Sequence, residues 1–294
     1  MDLIFNRKVN LTMSGTLYLC ATPIGNLEDI TLRVLRILKE VDIIAAEDTR
    51  NTIKLLNHYN IKTPMTSYHE YNKITKAETL VDKLLEGKNI ALVTDAGTPG
   101  ISDPGEELVK KAYEAGIQVT SLPGACACIT ALTLSGLSTR RFAFEAFLPA
   151  NKKERKIILD SLKNETRTIV IYEAPHHLKS TLSELYNSLG NQKITICREL
   201  TKLHETVQLY TLASAIEYYN NNQPKGEYVL IIDGCTFNEL EIQKQEIWKQ
   251  MSISEHINIY LAEGLSKKEA MKKVASDRGI SKRDVYNAIL TPEE

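Results

Sequence analysis

The sequence predicts an α/β protein with two α/β domains and a small C-terminal helical unit. Short apolar runs alternate with segments of helical spacing up to about residue 135, which is typical of a parallel sheet covered by helices. A second group of strand-like runs follows, and short amphipathic helices end the chain. The predicted domains are residues 14–136, 140–235 and 251–291.

The first domain is predicted to hold a mainly parallel sheet. Its strands are predicted at Thr16–Cys20, Ile43–Ala46, Ile90–Thr94 and from Ile117 onward. Helical spacing joins them, notably at Lys76–Leu85 and Glu106–Ala115. Thr31 or Asp29 could cap the first helix, and Pro123, Gly124 and Ala125 open the last one. A Gly-containing segment at Gly136–Arg140 indicates the boundary with the second domain.

The second domain is predicted to hold a mixed sheet. Its strands are predicted at Phe142–Leu148, Thr168–Tyr172, Lys193–Arg198, His204–Tyr210 and Tyr228–Asp233, and its helices at Lys153–Leu162 and Leu178–Leu189. Because the connections near the last two strands are short, we expect antiparallel pairs among them.

The most informative segment is the loop Asp95–Gly105, which contains three Gly, two Pro and two Asp. Pro fixes the backbone and Gly permits positive φ and close approach of a ligand, so the composition predicts a preshaped loop. It follows a buried strand and precedes a helix, which places it at the carboxyl end of a sheet, where α/β proteins bind ligands. An ordinary long connection is the alternative.

Composition and charge limit the possible functions. The net charge is −1, so any contact with RNA must be local. No apolar run reaches the roughly 18 residues of a membrane span, and residues 1–14 lack the pattern of a signal peptide, so we expect a cytoplasmic protein. The five cysteines do not suggest a disulfide framework, and Cys126 and Cys128 alone cannot form a zinc site. They are most simply small buried residues, and no metal is expected.

The C-terminal segment from Ser266 to Leu290 carries seven basic and three acidic side chains. Two capping boxes, Ser266 with Glu269 and Ser281 with Asp284, predict two short helices with Gly279 in the turn between them. Phe237–Gln250 is polar and is predicted to be a linker. The unit has the pattern of a helix-turn-helix that binds nucleic acid, and a solvated helix pair is the alternative.

The sequence lacks the common nucleotide-binding, hydrolase and metalloprotease motifs. It contains instead, in this order, the segments ATPIGN, AEDTR, SYHEYN, TDAGTPGISDPG, PGACA, IYEAPHH, CRELTKLHE and PKGEY. Over roughly Thr16–Asp233 these segments closely resemble the tetrapyrrole methylase superfamily of S-adenosylmethionine enzymes. They resemble in particular the branch that 2′-O-methylates a cytidine of 16S ribosomal RNA in the decoding centre. The helical unit is similar to the accessory helix-turn-helix of that branch.

The resemblance implies a tetrapyrrole-methylase-like fold with S-adenosylmethionine bound in the cleft between the two α/β domains. The cofactor-binding residues it implies are Pro23, Asp95, Gly97, Thr98, Pro99, Ile101, Ala125, Cys126, Tyr172, Ala174, Pro175 and Gly226. The sequence departs from the branch at Cys126, where Ser is common, and at His177, where Arg is common. Asp95 as a simple strand end and Tyr172 as a core aromatic are the structural alternatives.

Methyl transfer to a ribose hydroxyl requires alignment and benefits from a group that takes the proton. Glu47, Lys202 and Glu205 are the predicted catalytic residues, with the hypothesis that burial lowers the pKa of Lys202 or that a carboxylate such as Glu47 acts instead. Their structural alternative is an ion-pair network. Arg50, His69 and Arg198 are predicted to contact RNA, because an Arg fork matches a phosphate group.

The predicted function is therefore 2′-O-methylation of 16S ribosomal RNA within the small ribosomal subunit, by a homodimer like its relatives. Methylation of a tetrapyrrole-type small molecule and RNA binding by a non-catalytic protein are the alternatives. The charged helical unit and the AEDTR and SYHEYN segments disfavour the first, and the intact TDAGTPG and YEAP segments disfavour the second.

Overall fold

The computed structural model describes residues 14–236, 238, 248 and 250–290. The described residues up to Asp160 and Arg167–Asp233 form one compact unit, which contains both sheets. Ser161–Thr166 and the described residues from Gly234 onward form a second. Residues 1–13, most of the predicted linker and residue 291 lie outside the described residues, and the domain boundaries drawn from the sequence stay a prediction.

The first sheet has five parallel strands, as predicted. They are β1 (Thr16–Cys20), β2 (Ile43–Ala46), β3 (Met65–Ser67), β4 (Ile90–Val93) and β5 (Gln118–Leu122), in the spatial order β3-β2-β4-β1-β5. The helices that connect them are α1 (Leu32–Glu40), α2 (Thr49–His58), α3 (Lys73–Leu85) and α4 (Gly105–Glu114). The sequence did not predict β3, because three residues are too few to show a strand period.

Both faces of this sheet are covered by helices. Leu17, Leu19 and Leu92 pack with buried residues of α3 and α4, whereas Ala91 and Val93 pack on the opposite face with α1 and α2. Successive side chains along a strand point to opposite faces of the sheet, so the helices bury both sets. Only the loops at the strand ends remain available for a site.

The second sheet is mixed, as predicted. It contains β6 (Phe142–Phe147), β7 (Thr168–Glu173), β8 (Lys193–Arg198), β9 (Thr206–Thr211) and β10 (Tyr228–Ile232), in the order β6-β7-β10-β8-β9. Only β6 and β7 pair in parallel; the other neighbours are antiparallel. Its helices are α6 (Lys152–Leu162), α7 (Leu178–Leu189) and α8 (Leu212–Asn221).

The prediction of a short connection between the last two strands is wrong. The helix α8 lies between β9 and β10, and β10 inserts between β7 and β8 rather than beside β9. A capping box formed by Thr211 and Ser214 begins α8. The position of β10 depends on its pairing with distant strands, which local sequence patterns do not encode.

The helix α5 (Ala127–Leu134) follows the last strand of the first sheet but packs on the second sheet. Its buried residues Cys128, Ala131 and Leu132 contact a cluster that includes Val170 and Cys197. Gly124 precedes this helix, and a Cβ atom there would lie 2.5 Å from the Cβ of Ala21. The close approach of the two loops thus requires glycine, and it places the start of α5 beside β1.

The C-terminal unit contains α9 (Ile253–Ala262), α10 (Lys267–Arg278) and α11 (Lys282–Leu290). Both predicted capping boxes are present, since the Ser266 and Ser281 hydroxyls accept from the amides three residues later while the acidic partners accept in return. Gly279 adopts the left-handed conformation that ends α10. A capping box that was not predicted, formed by Ser252 and Glu255, begins α9.

A fully buried histidine, His256, lies in this unit. The ring of Trp248 stacks on it at 3.8 Å between centroids, and Tyr260 packs nearby. Arg278 Nε donates to its Nδ1 at 3.2 Å, which leaves the proton of the neutral ring on Nε2, 3.5 Å from an Asp277 oxygen. Burial and then the charge of Arg278 lower the pKa of His256, and Asp277 opposes them only in part.

We expect the stability of this unit to fall as the pH drops below about 6.5, the ordinary pKa of histidine. Below this pH His256 becomes protonated in the unfolded chain, whereas in the folded unit it stays neutral until the pH reaches its lowered pKa. The stabilisation is therefore complete above the ordinary pKa of histidine and is lost between that pH and the lowered pKa. Trp248 is the single Trp of the chain, so its fluorescence in urea titrations between pH 5 and 8 reports on this unit. The variant His256→Phe should reduce the pH dependence, and an unchanged slope in this variant would contradict the assignment.

Candidate active site

A cavity of about 430 Å³ lies within the first compact unit. Its wall combines residues that follow β2 and β4 with the start of α5 and the ends of strands in the second sheet. The residues that line it are Ile24, Glu47, Thr94, Asp95, Ala96, Gly97, Thr98, Ile101, Ser102, Asp103, Cys126, Ala127, Phe147, Tyr172, Glu173, Ala174, Pro175, Cys197, Leu200, Lys202, Glu227, Tyr228 and Val229. A largely apolar cavity of this size with a few polar groups is typical of small-molecule sites.

The loop after β4 is fixed in shape by its own hydrogen bonds. Gly97 exchanges two backbone hydrogen bonds with Thr22, at 2.9 and 3.0 Å, and its φ of +88° favours glycine. Thr98 Oγ1 donates to the carbonyl of Ala125 at 2.9 Å, which ties this loop to the start of α5. The Asp103 carboxylate accepts from three backbone amides, those of Gly100, Ile101 and Gly105.

Eight of the twelve predicted cofactor-binding residues line the cavity: Asp95, Gly97, Thr98, Ile101, Cys126, Tyr172, Ala174 and Pro175. Pro23, Pro99, Ala125 and Gly226 do not line it. Ala125 lies behind Thr98, and Gly226 lies against Glu199, where a Cβ would approach its side chain to 2.6 Å.

Two carboxylates, Glu47 and Asp95, face the cavity from the ends of β2 and β4. Glu47 Oε2 accepts from Thr94 Oγ1 at 2.5 Å and from the Asp95 amide at 3.3 Å, so two donors orient it. Asp95 accepts from the Asp48 amide at 3.2 Å and from Asn51 Nδ2 at 3.1 Å. Burial raises the pKa of Asp95, and the negative charges of Glu47 and Asp48 raise it further. Together these effects outweigh the hydrogen bond from Asn51, which lowers the pKa. This end of the cavity therefore has a negative potential.

Arg50 lies outside the cavity and points into solvent, with 87% of its side chain exposed. Its guanidinium forms a forked ion pair with Asp48, the residue that caps α2. These hydrogen bonds lower the pKa of Asp48 to about 2. This ion pair fixes the direction of the Arg50 side chain and leaves the outer face of the guanidinium accessible.

Lys202 lines the cavity, but the hypothesis that its pKa is lowered is wrong. Burial does disfavour its charge, yet hydrogen bonds to Glu227 at 2.7 Å and Glu199 at 3.0 Å outweigh that effect, and the pKa of Lys202 is raised. Lys202 is thus an ammonium at neutral pH, which excludes it as a general base there. It can supply positive charge or a proton.

Glu205, the third predicted catalytic residue, does not line the cavity. Its carboxylate accepts from the amide of Thr201 at 2.6 Å. Thr201 and Glu199 both have φ in the left-handed region, at 65° and 53°. Such conformations cost energy unless neighbouring contacts hold them, so Glu205 stabilises the loop that carries Lys202.

The part of the cavity wall formed by β6 and β7 contains the predicted residue Tyr172 and two residues that the sequence did not single out, Phe147 and Glu173. Tyr172 packs edge-on against Phe147, with ring centroids 5.6 Å apart, and its hydroxyl accepts from the Cys128 amide at 3.0 Å. Glu173, at 5% exposure, accepts from the Ala174 amide at 2.8 Å and from the Thr181 hydroxyl. A carboxylate in an otherwise apolar strand was the one signal that could have identified Glu173. Asp103 and Glu227, which are also carboxylates of the wall, were not singled out as individual residues, although the quoted segments TDAGTPGISDPG and PKGEY contain them.

His69 and Arg198 also lie outside the cavity. Asn72 accepts from the amide of His69 at 2.8 Å, while His69 Nδ1 is buried without a hydrogen-bond partner in the described part of the chain. Arg198 Nε donates to the carbonyl of Lys225 at 2.7 Å, and both residues line a separate surface concavity with Thr206. The structure therefore does not gather the three predicted RNA contacts at one point of the cavity wall.

The described residues contain no group of three or more His, Cys, Asp or Glu arranged to hold a metal ion. None of their helices is long and apolar enough to cross a membrane.

Comparisons with known proteins connect this geometry to one family. The family model described as Tetrapyrrole (Corrin/Porphyrin) Methylases matches residues 16–216. The chain is 51% identical to Ribosomal RNA small subunit methyltransferase I of Halalkalibacterium halodurans, over 93% of this chain and 94% of that protein. It is 46% identical to the Bacillus subtilis protein of the same name, over 97% and 96%.

Solved structures share the fold at low sequence identity. A uroporphyrin-III-C-methyltransferase from Thermus thermophilus superposes with a TM-score of 0.54 at 19% identity, covering 74% of this chain and 94% of that one. A diphthine synthase superposes with a TM-score of 0.59 at 13% identity, covering 77% and 94%. These similarities show the two-sheet architecture.

Proposed function

Because the chain belongs to the tetrapyrrole methylase superfamily and, within it, to the family of Ribosomal RNA small subunit methyltransferase I, we propose that it methylates 16S ribosomal RNA. The acceptor is the 2′-oxygen of a cytidine ribose in the decoding centre, and the donor is S-adenosylmethionine. The observation that carries the proposal is the identity of about half of all residues to one such relative over nearly the full length of both chains.

The cavity fits this cofactor in size and in chemistry. Its apolar walls, and the backbone that hydrogen bonds hold in place, suit an adenine and a ribose. The carboxylates of Asp95 and Glu47 suit a ligand that carries positive charge. Gly97 and Thr98 present backbone at the wall without bulk. When bound, S-adenosylmethionine would supply an electrophilic methyl group.

The protein must then orient the ribose hydroxyl and take its proton. Glu47 is the best-placed acceptor, because it lines the cavity and two donors fix its carboxylate. Lys202 stabilises negative charge that develops on the attacking oxygen or on a nearby phosphate, since it remains an ammonium. Glu205 positions the loop of Lys202 through its hydrogen bond from the Thr201 amide.

Arg50 and Arg198 are proposed to contact RNA phosphates, and His69, in the loop that follows β3, is proposed as a further RNA contact. The basic side chains of α10 and α11 are a further candidate contact. The substrate is 16S ribosomal RNA within the small ribosomal subunit, and the active form is a homodimer. Sedimentation of the purified chain would test the dimer directly.

The central experiment is methyl transfer from labelled S-adenosylmethionine to small ribosomal subunits that lack the modification, with the labelled nucleotide mapped by nuclease digestion and mass spectrometry. A single 2′-O-methylcytidine in the decoding centre is the expected product. Label on a base would overturn the assignment of the ribose oxygen. Absence of label from RNA despite measured cofactor binding would favour a small-molecule acceptor.

Replacing Arg198 by alanine is expected to weaken binding to the ribosomal RNA and to reduce the slope of log affinity against log salt by about one, because one phosphate contact is lost. The matched control is Lys39→Ala, in the last turn of α1, because Lys39 does not line the surface concavity that contains Arg198. Equal salt slopes for Arg198→Ala and the unchanged protein would show that Arg198 does not contact an RNA phosphate.

A further inference from the structure

Two thiols lie in contact at the start of α5. The sulfur atoms of Cys126 and Cys128 are 3.4 Å apart. Cys126 lines the cavity and is partly exposed, whereas Cys128 is 5% exposed and packs in the core beneath it. The pair thus has one accessible member and one protected member, unlike two ordinary core cysteines.

The surroundings of Cys126 favour its thiolate. Cys126 is the residue that precedes the first turn of α5, where unpaired backbone amides carry partial positive charge. The Cys128 thiol contributes most, and the backbone amide of Ile129 adds to it. These donors overcome the effect of burial and lower the pKa of Cys126 to about 6.

Cys128 responds in the opposite direction. Its interaction with Cys126, followed by burial, raises its pKa. Near neutral pH the pair therefore holds one thiolate, on the sulfur that faces the cavity, next to one protonated thiol. This is the arrangement of an attacking thiolate and a resolving thiol in redox-active cysteine pairs.

We propose that Cys126 and Cys128 form an oxidation site for hydrogen peroxide, with an intramolecular disulfide as its product. The Cys126 thiolate attacks one peroxide oxygen; the S–O bond forms, the O–O bond breaks, and the departing oxygen takes up a proton and leaves as water. Cys126 is then a sulfenic acid. The Cys128 sulfur attacks it; the S–S bond forms, the S–O bond breaks, and the oxygen leaves as a second water with the proton of Cys128.

Oxidation by this route consumes one peroxide and two thiols and releases two waters. The sulfur atoms need only approach from 3.4 Å to the bonding distance of about 2.0 Å. The chain also contains its own comparison residues. Cys20 and Cys197 are buried, and burial raises the pKa of each to about 12, so neither is expected to react.

The experiment treats the fully reduced full-length chain with hydrogen peroxide at pH 7 and follows intact mass and peptide maps. The unchanged protein should lose two hydrogens, and the map should place a disulfide between Cys126 and Cys128. In Cys128→Ser, the sulfenic acid on Cys126 should accumulate and be trapped by dimedone. Cys126→Ser should show neither product.

A second measurement on the same reduced protein needs no variant. Iodoacetamide at pH 7 should label Cys126 at least about tenfold faster than Cys20 or Cys197, because only a thiolate reacts at a useful rate. First oxidation at Cys20, Cys197 or Cys235, or equal labelling of all five cysteines, would overturn the proposal. Neither readout depends on methyl transfer, so the result stands apart from the proposed function.

Discussion

Replacing Glu47 by glutamine is expected to lower the rate of methyl transfer by about 10²-fold or more, the usual contribution of a positioned general base. Glutamine keeps the shape of the side chain and can still accept from Thr94 and Asp95, but it cannot take a proton. The rate is measured in single turnover with saturating small subunits, and the affinity for S-adenosylhomocysteine is measured by calorimetry.

The comparison that isolates this effect uses Glu78→Gln. Glu78 is a surface carboxylate of α3 that pairs with Lys111, with 63% of its side chain exposed, so its loss should leave turnover unchanged. If Glu47→Gln retained full turnover with unchanged ligand affinity, Glu47 would be a structural residue that fixes Thr94. In that case, another group or solvent would accept the proton.

Replacing Gly25 by alanine is expected to reduce methyl transfer by about ten- to a hundredfold, because small displacements of positioning groups have effects of this size. A Cβ at Gly25 would lie 2.4 Å from Lys202 Cγ, 2.8 Å from Thr201 Oγ1 and 3.1 Å from the Leu200 carbonyl. The loop that carries Lys202 would have to move away from β1. Thermal unfolding of the variant, measured alongside turnover, separates a local displacement of this loop from a general loss of stability.

A double-mutant cycle tests whether the effect passes through Lys202. In the background Lys202→Met, the change Gly25→Ala should cost clearly less than in the unchanged protein. Additive losses would show that Gly25 acts elsewhere, for example on the loop between β1 and α1. Because the pKa of Lys202 is raised, turnover of the unchanged protein should also show no inflection from this lysine near neutral pH.

The sequence predicted local elements well where a strong local pattern exists. The strands Thr16–Cys20, Ile43–Ala46 and Lys193–Arg198 and the helix Leu178–Leu189 have the predicted bounds. It failed for α8 and for the place of β10, because pairing between β10 and its neighbours depends on residues about 30 and 60 positions away. Local spacing contains no information about such pairs.

The candidate site also combines features that the local sequence predicts with features that depend on the tertiary structure. The loop Asp95–Gly105 was recognisable because glycine, proline and aspartate restrict the backbone locally, and Asp103 indeed holds its turn through amides within three residues. Phe147 and Tyr228 reach the cavity through strand order alone. No composition signal distinguishes them from the other aromatic residues of the strands.

The sequence by itself determined the alternation of strands and helices, the preshaped loop and the capped C-terminal helices, because each depends on residues a few positions apart. Only the tertiary structure decided which loops form the cavity and what charge its side chains carry. Lys202 shows the reason: the carboxylates that keep it charged come from Glu199, three residues before it, and Glu227, on another loop. A pKa follows the charges that surround a group in space, and those charges are set by the fold.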